Sequence, residues 1–462
     1  MPTDPSTQKR YDVLEATVSL CPECMAPVPA KIVQQDNRIY LRKRCPQHGE
    51  QTELLEHNAG YFKRRNEFSR PGTSCKLQTV AARGCPFDCG LCPEHEQHTC
   101  IGLIEITSGC DMGCPVCYAN AGSPGCLPLA DVRRMIDFYI DSEHGRAEIL
   151  QLSGGEPTLH PAILDILRYA RSTSLAYVML NTNGLRIAAD PAFVRELAGF
   201  VGGFEVYLQF DGLSARSCQT LRGGDYLARK LAAVEALAEQ NIPTTLVMTV
   251  QAGVNDDEIG EVIAFAMRHR NIRGVNFQPT AFFGRRPAAA PAGERSTLTG
   301  ILERIERQTA GLVQFADFVP LPCDVDRVAV DFLYRIDGRY QPILRGVDLR
   351  KHLPHIRNTF NFRAEEFLQD AGGAIACCGV ADLLKFISPQ FLLKSRPERV
   401  EYINENLFRL SVVSFVDAYN FDLKSMQKEC VHVITPDLHK VPFSAYNLIH
   451  RDRHARHYAT PG

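Results

Sequence analysis

Between residue 101 and about residue 310 the chain alternates between two hydrophobic periods, and this alternation restricts the fold more than any other feature. Strand-like runs occur at 101–106, "EILQLS" (148–153), "AYVMLN" (176–181), "FEVYLQF" (204–210), "TTLVMTV" (244–250) and "GVNFQP" (274–279). Between them apolar residues fall at helical spacing: Leu129, Val132, Ile136 and Ile140, then Ile163, Ile166, Leu167 and Ala170. The same spacing recurs at Leu227, Leu231 and Val234, and at Ile259, Val262, Ile263 and Ala266. Strands alternating with helices imply a parallel sheet with helical crossovers. Six units rather than eight predict an α/β fold with a partial (β/α)6 barrel of the TIM type, open on one side. Its chemistry belongs at the C-terminal ends of the strands.

The first strand ends in such chemistry. "IGLIEITSGCDMGCPVCYAN" (101–120) runs into a loop that carries Cys110, Cys114 and Cys117 at C-x3-C-x2-C spacing. A cubic [4Fe–4S] cluster takes four ligands, so three thiolates leave one iron open. An open position can bind something else, as a three-ligand catalytic zinc keeps a place for water. A zinc site, or reduced cysteines without metal, is the alternative. The second strand ends in "SGGEPT" (153–158), where Gly154 and Gly155 let backbone approach a ligand closely and Glu156 offers acceptors to an ammonium group. The third ends in "NTNG" and the fourth in "QFDG", which bring Asn183, Gln209 and Asp211 to the barrel mouth; each has a turn cap as its plain alternative.

Cysteines dominate the region before the barrel. Residues 1–75 form a first unit in which "CPEC" supplies Cys21 and Cys24, and "CPQHG" supplies Cys45 and His48. Two knuckles about 20 residues apart match a structural tetrahedral site, for zinc or a mononuclear iron. Such a small unit gains folding energy from its metal. His48 is the favoured fourth ligand, with Cys75 as the competitor. Residues 76–100 carry a second C-x3-C-x2-C, with Cys85, Cys89 and Cys92, and Cys100 follows eight residues later. Four cysteines close a cluster, which suits electron transfer or structure; Cys100 is therefore expected on this auxiliary [4Fe–4S] cluster and Cys126 is expected to be free.

A Pro/Ala-rich run near residue 285 marks the departure from the barrel, so residues 311–462 are expected to form an α+β extension. There Cys323, Cys377, Cys378 and Cys430 either meet as a third cluster or stay apart as core thiols. The 17 cysteines fall largely into metal-ligand spacings, which points to a reducing, cytoplasmic setting. The N-terminus lacks a signal-peptide layout and no run of about 18 apolar residues suggests a membrane span. A net charge of −2 gives no nucleic-acid footprint.

The cysteine loop after a strand, followed by "GGEP" at the next strand end, resembles the signature of the radical S-adenosylmethionine (SAM) enzymes. "GCPFDCGLCPEHEQHTC" running into "LIEITSGCDMGCPVCYA", after "CPEC…CPQHG", is similar to the branch containing tetraether lipid synthase and the class D methylases of pterin cofactors. "GVNFQPTAFFGR" and "VHVITPD…VPFSAYN" extend the likeness over nearly the whole chain. The resemblance implies that the open iron of the Cys110/Cys114/Cys117 cluster chelates SAM and that reductive cleavage yields a 5′-deoxyadenosyl radical. It assigns Gly154, Gly155, Glu156 and Pro157 to the amino group of SAM, and Asn183, Gln209 and Asp211 to its ribose and carboxylate. Segments 249–256 and 277–279 would line the adenine pocket. It also implies a flavodoxin- or ferredoxin-type electron donor, and C–C bond formation or methylation on a lipid or pterin-like small molecule. Ser444 stands where the branch leads us to expect a cysteine, and Val116 where many such loops carry an aromatic residue. A peptide-modifying maturase and a non-catalytic iron–sulfur scaffold are the rival readings; SAM binding separates the scaffold from the enzymes.

Overall fold

The computed structural model describes residues 11–73, 75–122, 125–285, 295–345, 358–360, 395, 398, 402, 403, 405–454, 457 and 458. Four antiparallel strands come first: β1 (Asp12–Leu20), β2 (Pro27–Gln35), β3 (Arg38–Cys45) and β4 (Gly49–Glu56), paired in sequence order. Burial alternates along β3, so Ile39 and Leu41 face a small core with Ala30 and Ile32. This ribbon is held on the rest of the molecule by buried polar contacts. Lys43 Nζ donates to the carbonyls of Ala418 (2.7 Å) and Tyr419 (2.9 Å). Arg295 pairs with both Glu53 and Asp417, and Glu56 accepts from the Thr299 amide and hydroxyl.

The expected α/β alternation follows. Strands β5 (Ile101–Thr107), β6 (Ile149–Gly154), β7 (Tyr177–Thr182), β8 (Phe204–Gln209), β9 (Thr244–Val250) and β10 (Ile272–Pro279) lie side by side and parallel. The helices Leu129–Ser142, Ile163–Ser172, Leu227–Glu239 and Ile259–Arg268 cross between successive strands and bury the periodic residues read from the sequence, among them Val132, Ile136, Ile166, Leu167, Val234 and Ile263. Each buried aliphatic side chain of this kind stabilises by about 1.5–3 kcal/mol.

The sheet does not stop at six strands. β14 (Leu407–Val413) adds parallel to β10, and β15 (Val431–Ile434) adds parallel to β5. The antiparallel β12 (Asp324–Ile336), carrying β11 (Val319–Leu321) and β13 (Arg339–Pro342), flanks β14; β16 (Lys440–Pro442) flanks β15. Among the described residues the result is one twelve-stranded sheet. The C-terminal residues thus wall the open side of the barrel, and no helix among the described residues is long and apolar enough to cross a membrane.

Period-two alternation sorts the barrel strands into two faces. On β8, Phe204, Val206 and Leu208 join the core under the helices, while Glu205, Tyr207 and Gln209 line an interior cavity of about 850 Å³. Asn276 and Gln278 of β10, and Arg409 and Ser411 of β14, line the same cavity.

Candidate active site and metal centres

The cysteine loop closes one end of the cavity, where Cys110, Cys114 and Cys117 contribute to the lining. Its shape depends on two glycines at the end of β6, Gly154 and Gly155. Gly154 has φ +131°, and a Cβ there would sit 2.2 Å from the Thr107 carbonyl oxygen. A Cβ on Gly155 would sit 2.1 Å from the Gly109 oxygen. The amides of Gly155 and Glu156 donate to the Thr107 and Gly109 carbonyls at 2.7 and 2.8 Å. The glycines therefore admit the cysteine loop itself against the strand end. On the far side Cys117 exchanges two backbone hydrogen bonds with Arg285, and Gly284 leaves room for the Cys117 and Tyr118 carbonyls. Tyr118 bonds Ser153 through its hydroxyl at 2.6 Å and packs on Phe443, tying loop, β6 and C-terminal region together.

Glu156 is buried, and burial raises its carboxyl above the ordinary range against hydrogen bonds that lower it. It accepts from the Thr158 amide and hydroxyl, the Thr182 hydroxyl and the Asn183 amide at 2.6–3.0 Å. Asn183 in turn donates to Asp111 at 2.7 Å inside the cysteine loop. Gly154, Gly155, Glu156, Asn183 and Gln209 all line the cavity; Pro157 and Asp211 are not among its lining residues. Asp211, expected to reach SAM, has its carboxylate engaged by the protein. Its carboxylate holds the Arg222 guanidinium bidentately, at 2.6 and 2.7 Å, and accepts from the Thr249 amide. Burial would push Asp211 up, but the charge and hydrogen bonds of Arg222 outweigh it and keep it below the usual carboxylate range.

What Asp211 aims is Arg222, which lines the cavity and donates to the Val116 carbonyl of the cysteine loop. Arg222 was missed by the sequence reading because it ends a helix, Ala215–Arg222, rather than a strand; the "RGG" after a helical run was the only signal. Lys230 was missed because it lies within the helix Leu227–Glu239 rather than at a strand end. Its ammonium bridges the Asn183 carbonyl and the Gln209 carbonyl and side chain at 2.5–2.9 Å, locking the ends of β7 and β8, and burial lowers it to about 8.

The residues fit an anionic cluster at the loop. Arg285, beside Cys117, buries Nε and Nη2 with no hydrogen-bond partner among the described residues, a cost that an adjacent negative group would offset. Burial raises the bare Cys110 thiol to about 12 and the Cys114 thiol in the same direction, so metal binding there releases protons.

Three further groups are positioned. Cys21, Cys24, Cys45 and His48 place their ligand atoms within 4.8 Å of one another on the two knuckles of the ribbon. Cys24 and Cys45 sulfurs stand 3.9 Å apart; metal–sulfur bonds of about 2.3 Å in a tetrahedron require roughly 3.8 Å. Cys85, Cys89 and Cys92 surround a small pocket with Glu94, His95 and Pro442. Cys100 is not with them, which corrects the expected four-cysteine cluster. It lies within 4.8 Å of Cys323 and Cys430, with His98 Nε2 3.6 Å away. The cause is strand register: Ile101 pairs with Val431, so the residue before each strand, Cys100 and Cys430, must adjoin, and the Cys100 amide donates to the Cys430 carbonyl at 2.9 Å. Cys323 reaches them from the turn between β11 and β12. Burial alone would raise Cys100, but hydrogen bonds from Cys323, Cys430 and His98 bring it well below the usual thiol range. Next to Cys323, Asp324 is buried, and burial together with the nearby Asp326 and Glu429 carboxylates raises its carboxyl well above the ordinary range. Cys377 and Cys378 lie outside the described residues. Cys126 belongs to no described ligand group and bridges Thr107 through its backbone.

A parallel partial barrel with a three-thiol loop at the C-terminal end of its first strand and a glycine pair on its second defines a radical SAM enzyme. The sequence matches the radical SAM superfamily over residues 104–266 and the HMPTM N-terminal zinc ribbon domain over residues 13–57. It is 30% identical, over 96% of both chains, to the 7,8-dihydro-6-hydroxymethylpterin dimethyltransferase of Methanocaldococcus jannaschii. A probable GTP 3′,8-cyclase of Pyrococcus abyssi is 28% identical over 35% of this chain and 51% of its own. SuiB of Streptococcus suis with its precursor peptide superposes at a TM-score of 0.38, with 17% identity over 47% of this chain and 46% of its own, which is too loose to bear on the site. The chain belongs to the radical SAM superfamily, in the methylase family of the Methanocaldococcus jannaschii relative. It is an enzyme that uses a [4Fe–4S] cluster and SAM.

Proposed function

We propose that the chain transfers a one-carbon unit to a carbon of a pterin-type heterocycle. The observation that carries the substrate class is the cavity wall. Barrel interiors are ordinarily filled by branched aliphatic side chains; here Glu205, Tyr207, Asn276, Arg409 and Ser411 face an open volume of about 850 Å³. Apolar side chains from β5, β12 and β15, including Leu103, Val330 and Val431, line the other wall. One polar and one apolar wall suit a flat heterocycle with polar edges, whereas a lipid gains most from apolar walls all round. The relative that shares the full length of the chain carries a pterin substrate in its name.

In this reading Cys110, Cys114 and Cys117 hold the catalytic cluster. Bound there, cluster and SAM supply a 5′-deoxyadenosyl radical that removes hydrogen from an unactivated carbon. Gly154, Gly155, Glu156, Asn183 and Gln209 shape the SAM pocket. Arg222, fixed by Asp211, offers the cation for the SAM carboxylate, since a guanidinium matches a carboxylate in two parallel hydrogen bonds. The ribbon holds zinc or iron on Cys21, Cys24, Cys45 and His48. Cys85, Cys89 and Cys92 hold one auxiliary centre, and Cys100, Cys323 and Cys430 hold another. A flavodoxin or ferredoxin type of donor supplies the electron.

Anaerobically reconstituted protein with dithionite and SAM is expected to form 5′-deoxyadenosine, with the yield rising when 6-hydroxymethyl-7,8-dihydropterin is added. Alanine at Cys110, Cys114 and Cys117 should abolish the product. Retained yield in that triple variant overturns the cluster assignment; a yield indifferent to pterins but raised by a peptide or a lipid overturns the substrate class.

A further inference from the structure

We propose that Glu205 is the specificity-determining residue of the cavity and that it reads the 2-amino-4-oxo edge of a pterin. This rests on the pterin reading above and assigns it to one side chain.

Glu205 is the second residue of β8, buried, and on the cavity side of a strand whose other face is fully apolar. A buried carboxylate is costly unless it is paired, and the pairing of Glu205 leaves acceptor positions over. A carboxylate offers about four acceptor positions. Here the Tyr177 hydroxyl donates to Oε2 at 2.9 Å and the Thr245 hydroxyl donates to Oε1. The Arg409 guanidinium stands 3.8 Å from Oε1 and donates instead to Thr245. That is beyond hydrogen-bond range, so the ion pair does not consume the acceptors that face the cavity.

Among the described residues the acceptors left unfilled match one heterocycle edge. N3–H and the 2-amino group of a pterin are adjacent donors, which a carboxylate accepts in two parallel bonds as it accepts a guanidinium fork. The 4-oxo group beside them is an acceptor, and Arg409 is the donor on that side. Tyr177 and Tyr207 line the same cavity and offer ring surface to a flat bicycle.

Depth agrees as well. Gln209 stands level with the cysteine-loop end of the barrel, since Lys230 ties it to Asn183, which itself touches Asp111. Glu205 lies four residues down the same strand, a distance of about 13 Å at roughly 3.3 Å per residue. A hydrogen bond of about 2.9 Å, a bicycle roughly 7 Å long from bonds near 1.3–1.5 Å, and a reacting contact of about 3–3.5 Å span the same length. Anchoring the amino-oxo edge at Glu205 therefore presents the far edge of the ring at the level of the cysteine loop.

The test compares 6-hydroxymethyl-7,8-dihydropterin with the corresponding dihydrolumazine, in which a 2-oxo acceptor replaces the 2-amino donor. Binding is measured anaerobically by fluorescence titration of reconstituted protein, wild type and Glu205→Gln. The wild type is expected to favour the pterin by about 100-fold, because a site built for a donor leaves a buried acceptor unpaired with the analogue. The variant is expected to lose most of that preference, chiefly through weaker pterin binding, with metal content and thermal unfolding showing that it is folded. A wild type that binds both rings within threefold overturns the proposal without any variant, as does a Glu205→Gln protein that keeps the preference. Pterin methylation by a wild type with no ring preference removes this inference alone. A wild type that neither binds nor methylates pterins removes the proposed function with it.

Discussion

At the scale of single residues the site is set by contacts too close for any alternative side chain. A methyl on Gly155 would meet the Gly109 oxygen at 2.1 Å, so Gly155→Ala must push the cysteine loop away from β6. We expect that variant to lose 5′-deoxyadenosine formation by about 100-fold or more, since displacements near 1 Å cost that much, while the metal content of the ribbon is unchanged by metal analysis. Full activity would show that the loop does not depend on this approach. Asp211 and Arg222 form a buried bidentate pair; Asp211→Asn leaves a buried cation uncompensated and should cost about 3–5 kcal/mol in urea unfolding. Ser444, in place of an expected cysteine, donates its hydroxyl to Glu429 at 2.9 Å and accepts from the Val416 amide at 3.0 Å. Burial raises Glu429 to about 7, against the lowering effect of Ser444. Between the unfolded value near 4.3 and 7 the folded chain keeps a proton that the unfolded chain has lost. This group's contribution to stability therefore falls as pH rises through that window, by on the order of 3 kcal/mol. Urea midpoints against pH should slope down there for wild type and flatten for Glu429→Gln; parallel slopes would exclude the assignment.

At the scale of elements, the periodic segments were readable because apolar residues at period two and period 3.6 have one way to be buried. The six barrel strands and their crossover helices appear where the pattern places them. Register was not readable, and it moved a ligand: Cys100 was assigned to Cys85, Cys89 and Cys92 by nearness in sequence, whereas pairing of β5 with β15 carries it to Cys430. Residues 101 and 431 are joined by a pairing of 330 residues' separation, which no local pattern encodes. The consequence is testable by metal analysis. Cys100→Ser and Cys430→Ser should lose the same metal, and their double variant no more than either, while Cys85→Ser loses a different one. Additive losses for the first pair would return Cys100 to the other group. In the ribbon, Cys45→Ser should remove one metal equivalent and abolish hydrogen-exchange protection of β1–β4 while β5–β10 keep theirs, because a unit with so small a core relies on its metal.

At the scale of the whole molecule, the C-terminal region is part of the proposed catalytic vessel. β14 and β15 extend the parallel sheet on both sides, and their side chains complete a cavity whose ends are the cysteine loop and the strand N-termini. The sequence pointed to the mouth of the barrel, because glycine and amide residues at strand ends are conspicuous against apolar runs. It hid the interior, because Glu205, Tyr207 and Arg409 are single polar residues inside strands, marked only by the alternation of β8 and β14. The central claim is that this vessel brings a pterin-type ring to a SAM-derived radical. Mass spectrometry of the pterin after anaerobic turnover with SAM, reductant and a one-carbon donor tests it most directly. The account predicts a product heavier by one or two CH2 units that disappears when Cys110, Cys114 and Cys117 are replaced by alanine; recovery of the unaltered pterin alongside abundant 5′-deoxyadenosine would contradict it.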